Sequence, residues 1–532
     1  MRTGIAWLAL APHAMAHTEV GPPATGATTV IPLLGSLGAM KTLGVLSLLL
    51  LATLAGCLSA ENGATTTSSA PVLAPSAMRF PTPADTMVEG PGHDHAAPAQ
   101  HKTLWNYAFT ARDPLMQNAA NAAGLHAMDL QNGWLFGAVY GSHGVAVDGG
   151  VQIWDVHTDP LHPKPVGRWT IPGSVGGDRS IGATPDGDFV VIGLEPVDCL
   201  GHANPLGALT SAYLIDARNK ALPVVADVLT PGGTTGGPGQ NPLHISTHSV
   251  FVHRIQGKDY AFIAGDIYRI DRGEQGAKLV SVGTINSGHD AYVRDTPWNT
   301  TWALTANGGG GMAIYDVTDP AKPFSVGQWD LPNRTELAKA QGGDYYFHTA
   351  DVAFLPGQTL VVLTSEDFAP HVSPLWVLDG NPLRDVKAGG DPAQLRVLGE
   401  WHNPYNHTAA NIRFSLHNPR FHDGGLLTIS SYHAGFFQLD LRHPSFWENP
   451  SLIADGAYAD GTAPLFVDPA ESAVENQVCK LGIAIDAPEQ MDVAMGQNGV
   501  MYLADVFMGL YTFTPTETHP VFGTNPVAPV QG

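Results

Sequence analysis

The amino-acid sequence predicts an all-β protein: a seven-bladed β-propeller of four-stranded blades, preceded by a signal peptide and a disordered linker. The composition is the first indication, because the 532 residues include 60 Gly and 42 Pro but only 14% charged residues, which is typical of turn-rich β proteins. The second is an apolar run ending in aspartate that recurs along the chain. The third is a pair of β-like runs upstream of most copies, bounded by Gly, Asn and Asp.

The N-terminal region contains an export signal. Residues 40–57, MKTLGVLSLLLLATLAGC, combine one Lys, an apolar run shorter than the ~20 residues of a membrane span, and small residues before Cys57. The segment LAGC resembles the lipobox of secreted lipoproteins, in which the cysteine becomes lipidated. We therefore predict a lipoprotein signal peptide at 40–57 and a lipid anchor at Cys57 on the outer side of the cell membrane. A plain signal peptide or an uncleaved anchor is the alternative, and both export the protein.

The segments around this signal are predicted to lie outside the folded domain. Residues 1–39 have no clear signal of their own and are interpreted as a dispensable extension, with translation starting at Met40. Residues 58–102 are rich in Ala, Thr, Ser and Pro and bury too little apolar surface to fold, which predicts a disordered tether. The propeller is expected over 103–518, followed by a C-terminal tail over 519–532.

Two segments show the repeat most clearly: GGVQIWDVHTDPLHPKPVGRW at 149–169 and GGMAIYDVTDPAKPFSVGQW at 310–329. In each, an apolar strand ends in Asp, a DP turn follows, and a second strand comes after another Pro. Looser copies give seven units, whose anchor residues lie at positions 155, 216, 271, 316, 379, 440 and 514. The spacing of 45 to 74 residues suits a four-stranded blade with its loops. The repeated Asp is expected to bind the backbone of the following turn, which is a structural role.

The runs QIWDV, AIYDV and LIDA resemble those of LVIVD-repeat β-propellers, here in a secreted lipoprotein form. The resemblance covers roughly residues 103–518 and implies the fold rather than the function. Because the last unit lacks an evident outer strand, the isolated run LWNYAF at 104–109 is predicted to close the ring beside it. A short helix is predicted at 335–340, inside a long loop.

Histidines open the first strand of five units, and Asp178 and Gln490 occupy the matching places in units two and seven. The first strand of every blade lines the central channel, so these residues are expected to converge at one mouth of it. The five histidines are His126, His248, His289, His348 and His417. Loops between second and third strands emerge on the same face and carry further polar residues: His143, Glu195, Asp266, Glu366, Asp367, Tyr432, His433 and Asp505.

Imidazoles and carboxylates together are ligands for Zn, Cu, Fe or Mn, and the carboxylates also orient the imidazoles. Two other interpretations stay open: each His bonds a carbonyl of the neighbouring blade, or the ring binds an organic ligand. The leading prediction is a binding or scaffolding module that meets its ligands or partner proteins at the channel face, rather than an enzyme. A metal-dependent oxidoreductase or hydrolase is the alternative, and a purely structural envelope protein is the third interpretation.

Charge and the remaining motifs complete the expectations. The formal net charge of −22 argues against nucleic acid as a partner. The expected partners are the membrane, through the lipid anchor, and cell-surface proteins or small ligands. Cys199 and Cys479 can form one disulfide after export. Sequons at Asn299, Asn333 and Asn406 predict surface glycosylation. The propeller is expected to be monomeric.

Overall fold

Seven β-sheets form, and six of them are built from strands that lie close together in sequence, as the repeat predicts. The computed structural model describes residues 106–113, 115, 123–141, 149–171, 180–194, 212–230, 247–274, 276–286, 288–341, 345–366, 373–402, 415–422, 424–432, 435–449, 490–506, 509–517, 519 and 521–522. All of these belong to one unit, Thr66–Gly532. The predicted extension, signal peptide and tether lie outside the described residues.

The chain enters the propeller through β1 (Tyr107–Asp113) and then builds its blades in order. Blade 1 contains β2 (Ala123–Gln131), β3 (Trp134–Gly141), β4 (Gly149–Asp155) and β5 (Lys164–Ile171). Blade 2 contains β6 (Ile181–Ala183), β7 (Phe189–Gly193), β8 (Ala212–Asp216) and β9 (Val224–Leu229). Blade 3 contains β10 (Val250–Ile255), β11 (Lys258–Ile263), β12 (Asp266–Gly273) and β13 (Gly276–Thr284). Blade 4 contains β14 (Ala291–Asp295), β15 (Thr301–Ala306), β16 (Met312–Asp316) and β17 (Phe324–Trp329).

The remaining three blades follow the same antiparallel order. Blade 5 contains β18 (Phe347–Leu355), β19 (Gln358–Ser365), β20 (Leu375–Asp379) and β22 (Arg396–Trp401). The short strand β21 (Ala393–Gln394) precedes β22 in sequence but pairs parallel with β17 of blade 4. Blade 6 contains β23 (Leu416–His422), β24 (Leu426–Ser431) and β25 (Gly435–Asp440) within the described residues. Blade 7 contains β26 (Gln490–Met495), β27 (Met501–Asp505) and β28 (Gly509–Pro515). The prediction of a seven-bladed all-β propeller is therefore confirmed.

Blade 7 takes its fourth strand from the N-terminal end of the domain. β1 pairs antiparallel with β28, from Tyr107 opposite Pro515 to Asp113 opposite Leu510. Tyr107 and Phe109 are buried in this pairing. The predicted closing strand is confirmed, although it starts and ends later than the run 104–109. Closure covers an edge of β28 that would otherwise present unpaired backbone groups.

Helices are short and sit in the loops. The helix α1 (Arg334–Gln341) confirms the one predicted at 335–340, and α2 (Ser445–Glu448) follows blade 6. Single 3-10 turns occur at Asn381–Asp385 and Gln497–Gly499. None of the helices among the described residues has the length and apolar character that a membrane crossing requires.

The repeated aspartates cap the turns that follow them. Asp155 accepts hydrogen bonds from the backbone N–H of His157 and of Thr158, at 2.9 and 3.0 Å. Four others accept from the N–H two residues on: Asp216, Asp316, Asp379 and Asp440. At Asp271 the hairpin continues instead, and the carboxylate pairs with Arg269. The predicted structural role therefore holds for five of these residues.

The core lies between neighbouring blades. One cluster joins Trp302 and Ile314 of blade 4 to Phe347 and Trp376 of blade 5, and all four side chains are at most 1% exposed. A similar cluster joins blades 1 and 2. Each sheet buries both faces against its neighbours, so the sequences of its inner strands are continuous apolar runs. The polar residues of the first strands face the channel instead.

Candidate metal centre

The histidines of blades 1, 5 and 6 lie at irregularities of the innermost strand. In β2 the register to β3 shifts between Leu125 and Ala127, so His126 is the extra residue of a β-bulge. Equivalent shifts between Phe347 and Ala350 in β18, and between Leu416 and Pro419 in β23, enclose His348 and His417. A bulge inserts one residue and redirects the side chains beside it. His248 and His289 lie two residues before β10 and β14.

Four of the five imidazoles form a continuous row across blades 3 to 6. Ring centroids are 4.1 Å apart for His248 and His289 and 4.2 Å apart for His289 and His348. His348 and His417 follow at 3.8 Å. His126 stands further away, with its ring 6.4 Å from that of His248. His126 belongs to blade 1 and His248 to blade 3, so blade 2 lies between them. The residue predicted for blade 2, Asp178, lies outside the described part of the chain.

Within the described residues, two overlapping sets of side chains can each hold a metal ion. The first set is His248, His289 and His348, and the second is His348, Glu366 and His417. Within each set, one potential ligand atom per residue lies within 4.8 Å of the others. Glu366 Oε2 lies 4.0 Å from His289 Nε2 and 3.9 Å from His348 Nε2. His348 belongs to both sets and is therefore the centre of the cluster.

Glu366 is fixed from its other side by Tyr432. The Tyr432 hydroxyl donates a hydrogen bond to Glu366 Oε1, and both residues are buried. The Tyr432 ring also lies 5.1 Å from that of His417. With Oε1 bound in this way, Oε2 of Glu366 is the oxygen near the imidazoles. Glu366 and Tyr432, which were predicted from different loops, therefore belong to one site.

His417 has a defined tautomer. Its Nδ1 lies 2.5 Å from the backbone carbonyl oxygen of Met491, which can only accept, so Nδ1 carries the proton. Nε2 then has the lone pair that a metal ligand needs. Histidines that bind metals commonly donate their other N–H to such a carbonyl or to a carboxylate.

Burial keeps the central imidazole neutral. His348 is 1% exposed, and the pKa of His348 is held well below its ordinary value, first by burial and then by the neighbouring imidazoles. A neutral imidazole is the form that binds metal. Neutral imidazoles also avoid the mutual repulsion of a row of protonated histidines.

The donor atoms indicate which ions suit the site. All of them are nitrogen or carboxylate oxygen in the two sets. Three imidazoles form a set known from zinc sites, and two imidazoles with one carboxylate form a set known from non-haem iron sites. Both types leave coordination positions open to water or substrate.

The other predicted residues lie either in the described part of the chain but outside the two ligand sets, or outside the described part. Asp266 begins β12 and Asp505 ends β27, and neither belongs to the two ligand sets among the described residues. Gln490 begins β26 opposite Asp505, and Asn299 and Asn333 are exposed. Outside the described residues lie Cys57, His143, Asp178, Glu195, Cys199, Asp367, Asn406, His433 and Cys479, and the side chain of Gln490 does as well.

A second layer of polar residues, which sequence reasoning missed, borders the imidazole row. The residue directly after each histidine of blades 3 to 6 is polar; we name Ser249, Asp290, Thr349 and Asn418 the polar ring. Ser249, Asp290 and Asn418 line a small cavity of about 30 Å³. Strict alternation along a strand would turn one residue of each pair away, but the bulges in β18 and β23 allow both to face inward. In the sequence, the signal for this polar ring is a polar residue directly after four of the five histidines.

Comparisons with known proteins bear on the fold alone. No protein-family model matches the chain, and no curated protein sequence matches it. The chain is similar to the WD40 β-propeller domain of Doa1, with 12% identity and a TM-score of 0.42 over 78% of this chain and 99% of that one. It is also similar to the β-propeller domain of Myceliophteria thermophila Cps50 (Swd1), with 11% identity and a TM-score of 0.41 over 75% and 100%. For Saccharomyces cerevisiae Sqt1 the values are 13% and 0.39, over 75% and 84%.

Proposed function

We propose that this protein is a metal-binding β-propeller that holds one transition-metal ion at the mouth of its channel. The β-propeller is a fold suited to binding or scaffolding. The observation that carries the proposal is the convergence of His248, His289, His348, His417 and Glu366 from four consecutive blades into two overlapping ligand sets. The fixed Nδ1–H tautomer of His417 supports it, because it leaves a lone pair on Nε2 of a ring whose centroid lies 3.8 Å from that of His348.

Elemental analysis of the purified full-length protein tests the proposal. We expect close to one equivalent of Zn, Cu, Fe or Mn per chain after metal supplementation, and its loss when His289, His348 and His417 are all changed to Ala. A matched control changes three exposed histidines, His157, His162 and His402, to Ala and should retain the ion. No bound metal in the folded parent, or equal metal in both variants, would overturn the proposal.

Export and lipid anchoring belong to the same proposal. The segment that ends in LAGC at Cys57 supports a lipoprotein displayed on the outer side of the membrane, and the runs before the repeated aspartates support membership of the LVIVD-repeat propellers. Metabolic labelling with a palmitate analogue should mark the parent but not Cys57→Ala. An unlabelled parent, or an uncleaved N-terminus in the mature protein, would exclude the anchor.

A metal-dependent enzyme is the second candidate function. It is favoured by the three-ligand sets, because catalytic zinc and iron sites keep an open position for water or substrate whereas structural zinc sites are closed by four ligands. Binding of azide or cyanide to the Co(II)-loaded or Cu(II)-loaded protein, followed by its visible spectrum, would reveal an open position. A spectrum that does not respond would favour a closed binding site.

A further inference from the structure

The hydroxyl of Thr349 is the junction of a buried hydrogen-bond chain beside the imidazole row. His348 Nδ1 lies 2.6 Å from Thr349 Oγ1, and Asp290 Oδ2 lies 2.7 Å from the same oxygen. Asn418 Oδ1 lies 3.1 Å from it. Thr349 is fully buried, so its hydrogen bonds must be satisfied among these partners. The chain links blades 4, 5 and 6.

Burial raises the pKa of Asp290, whereas the hydroxyls of Thr349 and Ser249, which donate to its carboxylate, lower it. With Asp290 ionised, only one arrangement of protons satisfies every contact. A threonine hydroxyl has one hydrogen to donate and two lone pairs. A carboxylate accepts only, so the hydrogen goes to Asp290, and Oγ1 must then accept from His348 Nδ1–H. Its second lone pair accepts from the side-chain amide of Asn418, whose nitrogen and oxygen are interchangeable in shape. The opposite arrangement would place two acceptor oxygens 2.7 Å apart.

On this basis we propose that Asp290 is a positioning residue which acts through the Thr349 hydroxyl to hold His348 in the Nδ1–H tautomer, with Nε2 presented to the metal ion. The inference rests on the proposed metal-binding function and deepens it. His348 matters most because it belongs to both ligand sets. Asp290 is further held by the Ser249 hydroxyl, so all four members of the polar ring support one imidazole.

His417, which neighbours His348 in the imidazole row, is held in the same tautomer by a different contact. His417 donates from Nδ1 directly to a backbone carbonyl, which no side-chain substitution removes. His348 depends on two side chains, which can be changed separately. The two histidines therefore provide an internal comparison: a change at Asp290 or Thr349 should alter His348 and spare His417.

Metal affinity is the first readout. In the full-length protein titrated with Co(II) and Zn(II), Asp290→Ala and Thr349→Val each remove a member of the hydrogen-bond chain and should weaken binding about 10- to 100-fold and alter the Co(II) visible spectrum. Thr349→Ser keeps the hydroxyl and should restore both. Asp129→Ala is the matched control. This channel carboxylate accepts the N–H of Ala183 at 2.7 Å and the side chain of Gln131, neither of which belongs to the ligand sets, so its loss should leave affinity within about twofold. Parent-like binding by both Asp290→Ala and Thr349→Val would overturn the proposal.

The tautomer of His348 is the second readout and needs no metal. Long-range ¹H–¹⁵N spectra of the metal-free protein labelled at histidine should show Nδ1 protonated for His348 in the parent, identified by its absence in His348→Gln. Thr349→Val should shift that signal toward the Nε2–H form and leave His417 unchanged. An Nε2–H form in the parent would overturn the positioning role whether or not metal binds. Parent protein with the Nδ1–H form but no metal affinity would instead reject the metal-binding function.

Discussion

The imidazole of His417 and the backbone carbonyl of Met491 join blades 6 and 7 through a hydrogen bond of 2.5 Å from Nδ1. The same carbonyl accepts the Ser430 hydroxyl at 3.0 Å. This contact matches the structural interpretation of the repeated histidines, in which each ring bonds the next blade. It also fixes the tautomer that a metal ligand requires. The structural and the metal-binding interpretations therefore describe the two nitrogens of one ring and do not compete.

Metal binding should stabilise the propeller against unfolding. The ligand sets draw on blades 3 to 6, so one bound ion would tie four blades together, and an unfolded chain cannot reproduce that arrangement. At a free metal concentration of 100 times Kd, the gain in unfolding free energy should be about 2.7 kcal/mol. Thermal unfolding with excess Zn(II) and with a chelator measures it. The variant with His289, His348 and His417 changed to Ala should show no gain, and an equal gain there would point to another site.

Buried aspartates of the first strands connect neighbouring blades and should be costly to remove. Asp492 accepts from the Met128 N–H at 2.8 Å and from Arg420 at 3.0 Å, across blades 7, 1 and 6. Asp351 similarly accepts from the Phe421 N–H at 2.8 Å. Asp492→Ala leaves the Arg420 charge without its main partner in the channel, which should cost about 3 to 5 kcal/mol.

Urea unfolding of the Asp492→Ala variant provides the measurement. The exposed pair Arg334 and Asp330 is the control, and Asp330→Ala should change stability by less than about 1 kcal/mol. Pairing Asp492→Leu with Arg420→Met should recover much of the loss, because both charges are then removed together. A small effect of Asp492→Ala alone would show that Arg420 finds other partners in the channel.

The sequence predicted the fold better than the site, for a physical reason. Apolar runs, turn residues and the capping aspartates act locally, so the seven units and the closing strand follow from the residues themselves. The histidines were found because they recur with the repeat. Their spacing was not predictable, because it depends on bulges at His126, His348 and His417 that shift a strand by one residue. The hydrogen-bond chain through Asp290, Thr349 and Asn418 was missed because its members lie on different blades.

Ring closure by β1 should be essential for the folded domain. Tyr107 and Phe109 are buried against blades 6 and 7, with the Tyr107 ring 5.1 Å from Phe436 of blade 6 and the Phe109 ring 5.8 Å from Tyr511 of blade 7. A chain that begins at residue 114 lacks this strand and exposes the edge of β28, so it should aggregate or unfold non-cooperatively. A chain that begins at residue 101 retains it. Size-exclusion chromatography and thermal unfolding of the two truncations decide the point, and equal behaviour would contradict the role of β1.

His519 should contribute to the acid sensitivity of the protein. Its Nδ1 accepts from the N–H groups of Val521 and Phe522 at 3.1 and 3.0 Å, and Nε2 lies 3.2 Å from Gln438. Burial lowers the pKa of His519 to about 3, so the folded protein keeps it neutral while the unfolded chain binds a proton below about 6.5. The stability that this histidine contributes is therefore complete above pH 6.5 and declines as the pH falls toward 3. The slope attributable to it is at most about 1.4 kcal/mol per pH unit.

Urea unfolding between pH 7.5 and 4.5 isolates the contribution of His519. The substitution His519→Asn retains an acceptor for the two N–H groups but cannot be protonated, so its stability should fall less steeply with pH than that of the parent. His162→Asn changes an exposed histidine and should keep the parental slope. Identical slopes for the parent and His519→Asn would mean that His519 is accessible to protons in the folded state. A shallower slope would show that the segment after blade 7 is packed into the propeller in solution, since burial alone depresses the pKa of this histidine.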